Sequence, residues 1–286
     1  MTPTNTATTH DNSSSAKTEV LVEPDWLEAH LGDPAVRVVE VDVSAAAYEA
    51  GHVEGAVLWN IYRDLKNANY KLVDEPAIEQ LIRRSGIGPE TTVVLYGYAP
   101  AMGMWLLKLY GHADVRILNC SRRVWQDEAR PWTNHPTTPI ATTYRLPAPD
   151  ETVRAVYSTV LDAIDDPSTA ILDVRSTEEF RGERFWPSGG MEEGGRAGHV
   201  PSAVHCPVDD LQSGDGRFRG PDELHEIFSG IDGSGDGDVI TYCTIGGRAS
   251  TAWFALTYLL GREHVRVYEG SWAEWGRIPA SPVQCA

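Results

Sequence analysis

Apolar residues gather into short runs separated by polar turns and by stretches of helical periodicity. The runs at residues 37–41, 92–96 and 115–118, and again at 170–174, 238–242 and 265–268, read as buried strands. Residues 75–85 and 222–229 read as helices, and a third helix runs from 248 to 260 and stops at Gly261. Strands alternating with helices predict an α/β fold in which a mostly parallel sheet is flanked by helices. In such sheets ligands bind beyond the carboxyl ends of the strands.

The pattern occurs twice. Gly51-His52-Val53-Glu54-Gly55-Ala56 matches Gly198-His199-Val200-Pro201-Ser202-Ala203 at an offset of 147. Val93-Val94-Leu95-Tyr96 matches Val239-Ile240-Thr241-Tyr242 at 146, and Val115-Arg116-Ile117-Leu118 matches Val265-Arg266-Val267-Tyr268 at 150, as does Trp125 with Trp275. Constant order and near-constant offset predict two copies of one domain. Pro131, Pro136, Pro139, Pro147 and Pro149 disfavour helix and central strand. Residues 131–150 are therefore read as a linker between a domain at 19–130 and a domain at 151–286. Residues 1–18, rich in Thr, Ser and Asn, read as a disordered tail. They lack the basic start and apolar stretch of a secretory signal, so a cytoplasmic protein is expected.

Composition narrows the function. The chain has 286 residues, 42% of them hydrophobic, enough for packed cores. The net charge of −17, from 24 Lys+Arg against 41 Asp+Glu, argues against nucleic acid or an anionic membrane as partner. A small anionic substrate is not excluded, because a site can be locally positive. No run approaches the ~18 apolar residues of a membrane span. Cys120, Cys206, Cys243 and Cys285 form no Cys-x-x-Cys pair, so no metal site, cofactor or disulfide framework is expected. Each is then a small buried apolar group or a reactive thiol.

The two halves differ at one strand end. Tyr96 to Gly111 is 15 residues, whereas Tyr242 to Gly261 is 19. The four extra residues surround Cys243, where the first half has Gly97. In Cys243-Thr244-Ile245-Gly246-Gly247-Arg248 a strand ends and a helix begins, and the two glycines let backbone N–H groups turn toward the thiol. A helix N-terminus favours an anion there, so this thiol is expected to ionise more readily than a free cysteine. The second half is also about 14 residues longer between its first strand and Gly-His-Val. The extra segment lies within 181–197, with Phe185, Trp186, Pro187 and Met191. It is either a specificity loop over the pocket or a surface loop packed on the other domain.

Cys-x-x-Gly-x-Arg after an apolar strand, Gly-His-Val-x-x-Ala in both halves, Leu172-Asp173-Val174-Arg175 with Glu179-Phe180, and Glu269-Gly270-Ser271-Trp272-Ala273-Glu274-Trp275-Gly276 together resemble the rhodanese family of sulfurtransferases. The resemblance covers about residues 20–286 and is to tandem rhodaneses of the thiosulfate sulfurtransferase type, whose first domain is inactive and whose second carries the cysteine. It implies two tandem rhodanese-like α/β domains and a ping-pong reaction. The Cys243 thiolate takes the outer sulfur of thiosulfate, a small anionic donor, and passes it from a persulfide to cyanide or a thiol. Arg248 is expected to close the loop and add positive field. Thr244 stands where many relatives carry Arg or Lys, and its hydroxyl is a candidate donor to the substrate. The resemblance has Asp173 hold the architecture and Arg175 lie near the pocket. Glu179 occupies the place of a substrate-binding arginine, leaving Arg184 or Arg196 to supply that charge. His52 and His199 read as structural, and Trp272 and Trp275 as core or pocket wall rather than a cation-binding cage.

Three rival readings remain. A phosphatase of related fold needs Cys-x5-Arg, one residue more than the spacing from Cys243 to Arg248. A 3-mercaptopyruvate sulfurtransferase usually carries a Cys-Gly-Ser-Gly type loop, which Thr244-Ile245 does not match. A non-enzymatic interaction module would not need the retained thiol or the longer loop.

Overall fold

In a computed structural model of the chain, residues 20–234 and 237–285 are described. The tail read at residues 1–18 lies outside them. The N-terminal half contributes β1 (Leu21–Val22), β2 (Val36–Asp42), β3 (His52–Val53), β4 (Val57–Asn60), β5 (Thr92–Gly97), β6 (Val115–Leu118) and β7 (Trp132–Thr133). The C-terminal half contributes β8 (Arg154–Ala155), β9 (Thr169–Asp173), β10 (Val204–His205), β11 (Asp238–Tyr242) and β12 (Val265–Tyr268). Two five-stranded sheets result, every pairing in them parallel, with orders β1-β6-β5-β2-β4 and β10-β9-β11-β12-β8. Reversed, the first order matches the second strand for strand, so the duplication read from sequence is a duplication of topology.

The six predicted strands are the three central strands of the two sheets. The predicted helix at 248–260 is an α-helix over Gly247–Phe254 that continues as a wider π turn over Ala255–Leu259, and Gly261, at φ +73°, ends it. Sequence periodicity misses the helix Pro100–Leu109. Eight of its ten residues are buried, which erases the amphipathic signal. The edge strands β1, β8 and β10 have two residues each, too few to show a pattern.

The repeated Gly-His-Val turn does the same work in both halves. Val53 N–H donates to Tyr96 Oη at 3.0 Å, and Val200 N–H donates to Tyr242 Oη at 3.1 Å. Each tyrosine hydroxyl in turn donates to the carboxylate opposite it in register, Tyr96 to Glu40 and Tyr242 to Asp173. His52 stacks on Tyr48 and His199 on Phe180, each ring also bonding the backbone oxygen of the residue it stacks on. Both histidines are thus tied into the turn, in the half with a thiol at the strand end and in the half without.

The halves share a core. One cluster of buried apolar side chains runs from Val39, Leu95 and Met102 to Val239, Trp253 and Leu256. Across the same boundary the buried Lys66 ammonium donates to the Glu269 carboxylate at 2.7 Å and to its backbone oxygen at 2.8 Å. Burial alone would push the Glu269 carboxyl up, but Lys66, with Arg154 and the Leu72 N–H, holds it below its ordinary value. Residues 131–150 are laid along the N-terminal half. β7 pairs antiparallel with β3, Arg83 donates to Tyr144 O at 2.7 Å, and Thr142 donates to Ile87 O at 2.6 Å. Among the described residues no helix is long and apolar enough to cross a membrane.

Lys66→Met strands the Glu269 carboxylate and is expected to cost about 3–5 kcal/mol in denaturant unfolding; a change below 1 kcal/mol would contradict the pairing. Glu40 is pushed up to about 7 by burial, against the Tyr96 and Arg122 interactions that favour its anion. The fold therefore favours the neutral acid, whose contribution is whole below the ordinary value of 4.5 and is lost as pH rises through about 7. Glu40→Gln is expected to remove up to about 3 kcal/mol of that pH dependence between pH 4.5 and 8. Parallel stability-versus-pH curves for the two proteins would refute it.

Candidate active site

β11 ends at Tyr242, and Cys243 is the next residue, at the carboxyl edge of the second sheet. Its backbone is held from below by the start of the helix Ser271–Trp275. Cys243 N–H donates to Ser271 Oγ at 3.1 Å, Trp272 N–H donates to Cys243 O at 2.9 Å, and Ala273 N–H to Thr244 O at 2.8 Å. With both ends of the turn fixed, the chain reverses at Gly246, at φ +95°. A Cβ there would stand 3.0 Å from Glu269 O, so both the backbone angle and the close approach require glycine.

The reversal aims Gly246 N–H at the thiol, with N···Sγ at 3.1 Å. Ser250 N–H makes the first bond of the following helix, to Gly246 O at 3.0 Å, so the N–H groups of Gly247, Arg248 and Ala249 have no acceptor within it. The Cys243 side chain is 1% exposed, yet with Thr244, Ile245, Gly247 and Arg248 it lines a cavity of about 270 Å³. The other walls are Val43, Ile61, Tyr62 and Tyr98 from the N-terminal half, and Trp186, Pro187 and Ser188 from the extra segment. The thiol lies where two domains and the insertion meet. Burial pushes Cys120 up to about 11 and Cys206 up to about 12, and Cys285 is exposed.

Arg248 does not stand over the thiol as an unpaired cation. Its guanidinium forks onto the fully buried Glu179 carboxylate with two bonds of 2.8 Å and donates a third to Thr244 Oγ1 at 2.7 Å. Thr244 Oγ1 donates to Glu179 Oε1 at 2.7 Å, so its hydroxyl proton is committed and is not offered to a substrate, as the sequence had suggested. Burial alone would raise the Glu179 carboxyl, but Arg248 and Thr244 hold it below the usual carboxylate range. Arg248 ties Thr244 of the loop to Glu179, and the positive charge it brings is offset by that carboxylate. Sequence reasoning did not find this pair. The one signal was the Ser176-x-x-Glu179 capping box, which the structure contains and which points to a helix start rather than to an arginine 69 residues away.

Other predicted residues fall elsewhere. Arg175 is fully buried against Asp173, donates to Gly198 O at 2.9 Å, and lies 4.4 Å over the Trp272 ring. It does not line the cavity; with Asp173 and Tyr242 it braces β9 against the Gly-His-Val turn. Arg184 pairs with Glu178 at 2.9 Å and bonds Pro187 O, also outside the cavity lining. Arg196 is spent on backbone oxygens at and after the end of the last helix, Trp275 O at 3.0 Å and Ile278 O and Ser281 O at 2.6 Å, anchoring the root of the insertion. Neither supplies the second cation expected for the pocket. Trp272 and Trp275 are buried core. Among the described residues, no group of His, Cys, Asp and Glu is arranged to hold a metal ion.

Comparison with known proteins accords with this architecture. A family model described as the rhodanese-like domain matches twice, at residues 23–128 and 157–277. The sulfur carrier protein TtuD of Thermus thermophilus is 39% identical, with 94% of this chain and 97% of that protein covered. A Mycobacterium bovis protein, SseA, provisionally named a thiosulfate sulfurtransferase, is 39% identical over 95% of this chain and 92% of its own. Among solved structures, the 3-mercaptopyruvate sulfurtransferase SseA of Escherichia coli superposes with a TM-score of 0.77 at 24% identity, covering 89% of this chain and 99% of that one; at that identity the likeness is one of fold. The chain belongs to the rhodanese family of sulfurtransferases and carries its domain twice.

Proposed function

We propose that this protein transfers the sulfane sulfur of a thiosulfate-type donor to a thiophilic acceptor through a persulfide on Cys243. The observation that carries the reading is the Gly246 N–H at 3.1 Å from Sγ, on a loop that lines a cavity. The Cys243 thiolate attacks the outer sulfur of thiosulfate, the S–S bond of the donor breaks, and sulfite leaves with its electron pair. The new terminal sulfur is an anion, and the N–H groups at the start of the Gly247–Phe254 helix are its hydrogen-bond donors. Cyanide then takes that sulfur as thiocyanate, or a thiolate takes it as a persulfide, and the Cys243 thiolate returns.

Arg248 and Glu179 fix the loop's shape in this reading. The N-terminal half, with Gly97 at the equivalent strand end, is non-catalytic and serves as the far wall of the cavity. Thiosulfate is preferred over 3-mercaptopyruvate as the parent donor because Thr244-Ile245 does not reproduce the Gly-Ser pair of the latter class. Four free cysteines fit a reducing, cytoplasmic setting.

Thiosulfate treatment is expected to add the mass of one sulfur to Cys243, seen by mass spectrometry of the intact protein and its peptides. Cys243→Ser should lose that adduct together with at least ~10³-fold of thiocyanate formation. An adduct that persists in Cys243→Ser would refute the assignment. Arg248→Ala leaves Glu179 buried and unpaired, and is expected to cost about 3–5 kcal/mol and ~10- to 100-fold in sulfur loading. The double variant Arg248→Met with Glu179→Leu should recover most of the stability and little of the rate. Recovery of both would reduce the pair to a scaffold.

A further inference from the structure

Lys66 lies outside the cavity lining, yet its ammonium ends on the turn beneath the thiol. That buried ammonium donates to Glu269 Oε2 at 2.7 Å and to Glu269 O at 2.8 Å. The Leu72 N–H, also from the thiol-less half, donates to the same carboxylate at 3.2 Å, and Arg154 stands 3.5 Å from its other oxygen. The segment that starts at Glu269 supports the site twice. Gly246 packs on Glu269 itself, where a Cβ would stand 3.0 Å from the backbone oxygen and 3.2 Å from Cα. Two residues on, Ser271 Oγ accepts the Cys243 N–H at 3.1 Å and donates to Tyr268 O at 2.7 Å. Ser271 does this at φ +51°, in left-handed backbone that a residue with a side chain rarely adopts. Such a conformation persists where the surroundings over-determine it.

The duplication holds a counterpart of this contact. Lys66 and Leu72 correspond to Gln212 and Phe218 at an offset of 146, and each pair is joined by an antiparallel bridge. Glu269 and Ser271 correspond to Asn119 and Ser121 at an offset of 150. The Phe218 N–H donates to Asn119 Oδ1 at 3.2 Å, as the Leu72 N–H does to Glu269. Each half thus clasps the residue that follows β6 or β12 of the other. The two clasps differ in charge and in strain. Gln212 commits its amide N–H to Gly216 O at 3.0 Å and, among the described residues, makes no side-chain bond to Asn119. Ser121 sits at an ordinary φ of −72° and caps its own helix by accepting the Val124 N–H. The buried ion pair and the left-handed serine occur together, on the side whose strand end carries the thiol. The fold by itself requires neither, since the other clasp forms without them.

We propose that Lys66 is a positioning residue for sulfur transfer at Cys243, holding from the other domain the Glu269–Ser271 turn in the shape that aims the Gly246 N–H at Sγ. The proposal rests on the persulfide reading and adds to it a residue outside the cavity lining. Lys66 and the Leu72 N–H fix Glu269; with Glu269 fixed, Ser271 stays in its left-handed turn; Ser271 and Gly246 then seat the backbone on either side of the thiol. Without the ammonium, Ser271 is free to relax to negative φ, as Ser121 has, and the Gly246 N–H moves off the sulfur. A hydrogen bond to the charged form favours that form, so its loss raises the pH at which the thiolate becomes available and slows attack on the donor.

The test is single-turnover sulfur loading of Cys243 by thiosulfate, followed on the full chain by mass spectrometry across about pH 5 to 9. Lys66→Gln with Glu269→Asn installs the neutral pair of the other clasp and leaves no buried charge unpaired. Its loading rate at saturating thiosulfate is expected to fall at least ~10-fold at neutral pH, and its pH profile to move up by about one unit. The half-saturating thiosulfate concentration should stay within about twofold, because Arg248, Tyr62 and Tyr98, the titratable groups that line the cavity with Cys243, are untouched. Lys66→Met with Glu269→Leu, an apolar pair in the same place, carries the same expectation. Gln212→Met, in the other clasp, should leave rate and profile unchanged. A wild-type rate and profile in a folded neutral pair, or an equal loss in Gln212→Met, overturns the proposal. Loss of cooperative unfolding in both double variants also overturns it, since Lys66 would then serve folding alone. A wild-type Cys243 that takes up no sulfur overturns the persulfide reading itself, before any variant is compared.

Discussion

The site depends on a buried carboxylate, Glu179, that lies outside the cavity lining. Burial alone would push its carboxyl up, and Arg248, Thr244 and the Ser176 N–H meet its oxygens and hold it below the usual carboxylate range. The same bonds tie the first turn of the Gly247–Phe254 helix to the segment after β9, and with it the loop that carries Cys243. Isolated, either charge would be costly to bury; together they fix the distance between two elements of one sheet. The guanidinium is consequently a fastener first. At the Cys243 thiol itself the polar contact comes from the backbone, the Gly246 N–H at 3.1 Å, which needs no counter-ion.

A second fastener joins the halves. Lys66 reaches from the thiol-less domain to Glu269, whose own backbone oxygen lies where a side chain at Gly246 would collide. From Glu269 the chain passes through Gly270 to Ser271, Trp272 and Ala273, which hold the backbone of Cys243 and Thr244. The duplicated domain therefore contributes in two ways. It steadies the turn beneath the thiol, and it supplies Val43, Ile61, Tyr62 and Tyr98 to the cavity. The half with Gly97 at its strand end is thus both a wall and a brace.

Much of this was legible in the chain. Strands buried in a parallel sheet announce themselves as apolar runs, so the three central strands of each half and the duplication were plain. A thiol between a strand end and a double glycine marks its loop without any fold in hand. The charge partners were not legible, because burial decides them and sequence does not show it. Arg175, Arg184 and Arg196 each offered a cation within reach of the motif, and each is consumed by a local anion or by backbone oxygens. Glu179 looked like a missing arginine and is instead the partner of the one that remains. The insertion was visible as extra length, but not that Trp186, held by Glu192 and packed against Tyr70 and Phe185, lines the cavity.

If the backbone around residue 243 is shaped to cradle a second sulfur atom, a crystal structure of the thiosulfate-treated protein will show density for one added atom on Cys243 Sγ. That atom is expected within hydrogen-bond reach of the N–H groups of Gly247 and Arg248, with the Arg248–Glu179 pair intact. An unmodified Cys243 in loaded protein, or the added sulfur on Cys120, Cys206 or Cys285, would contradict it.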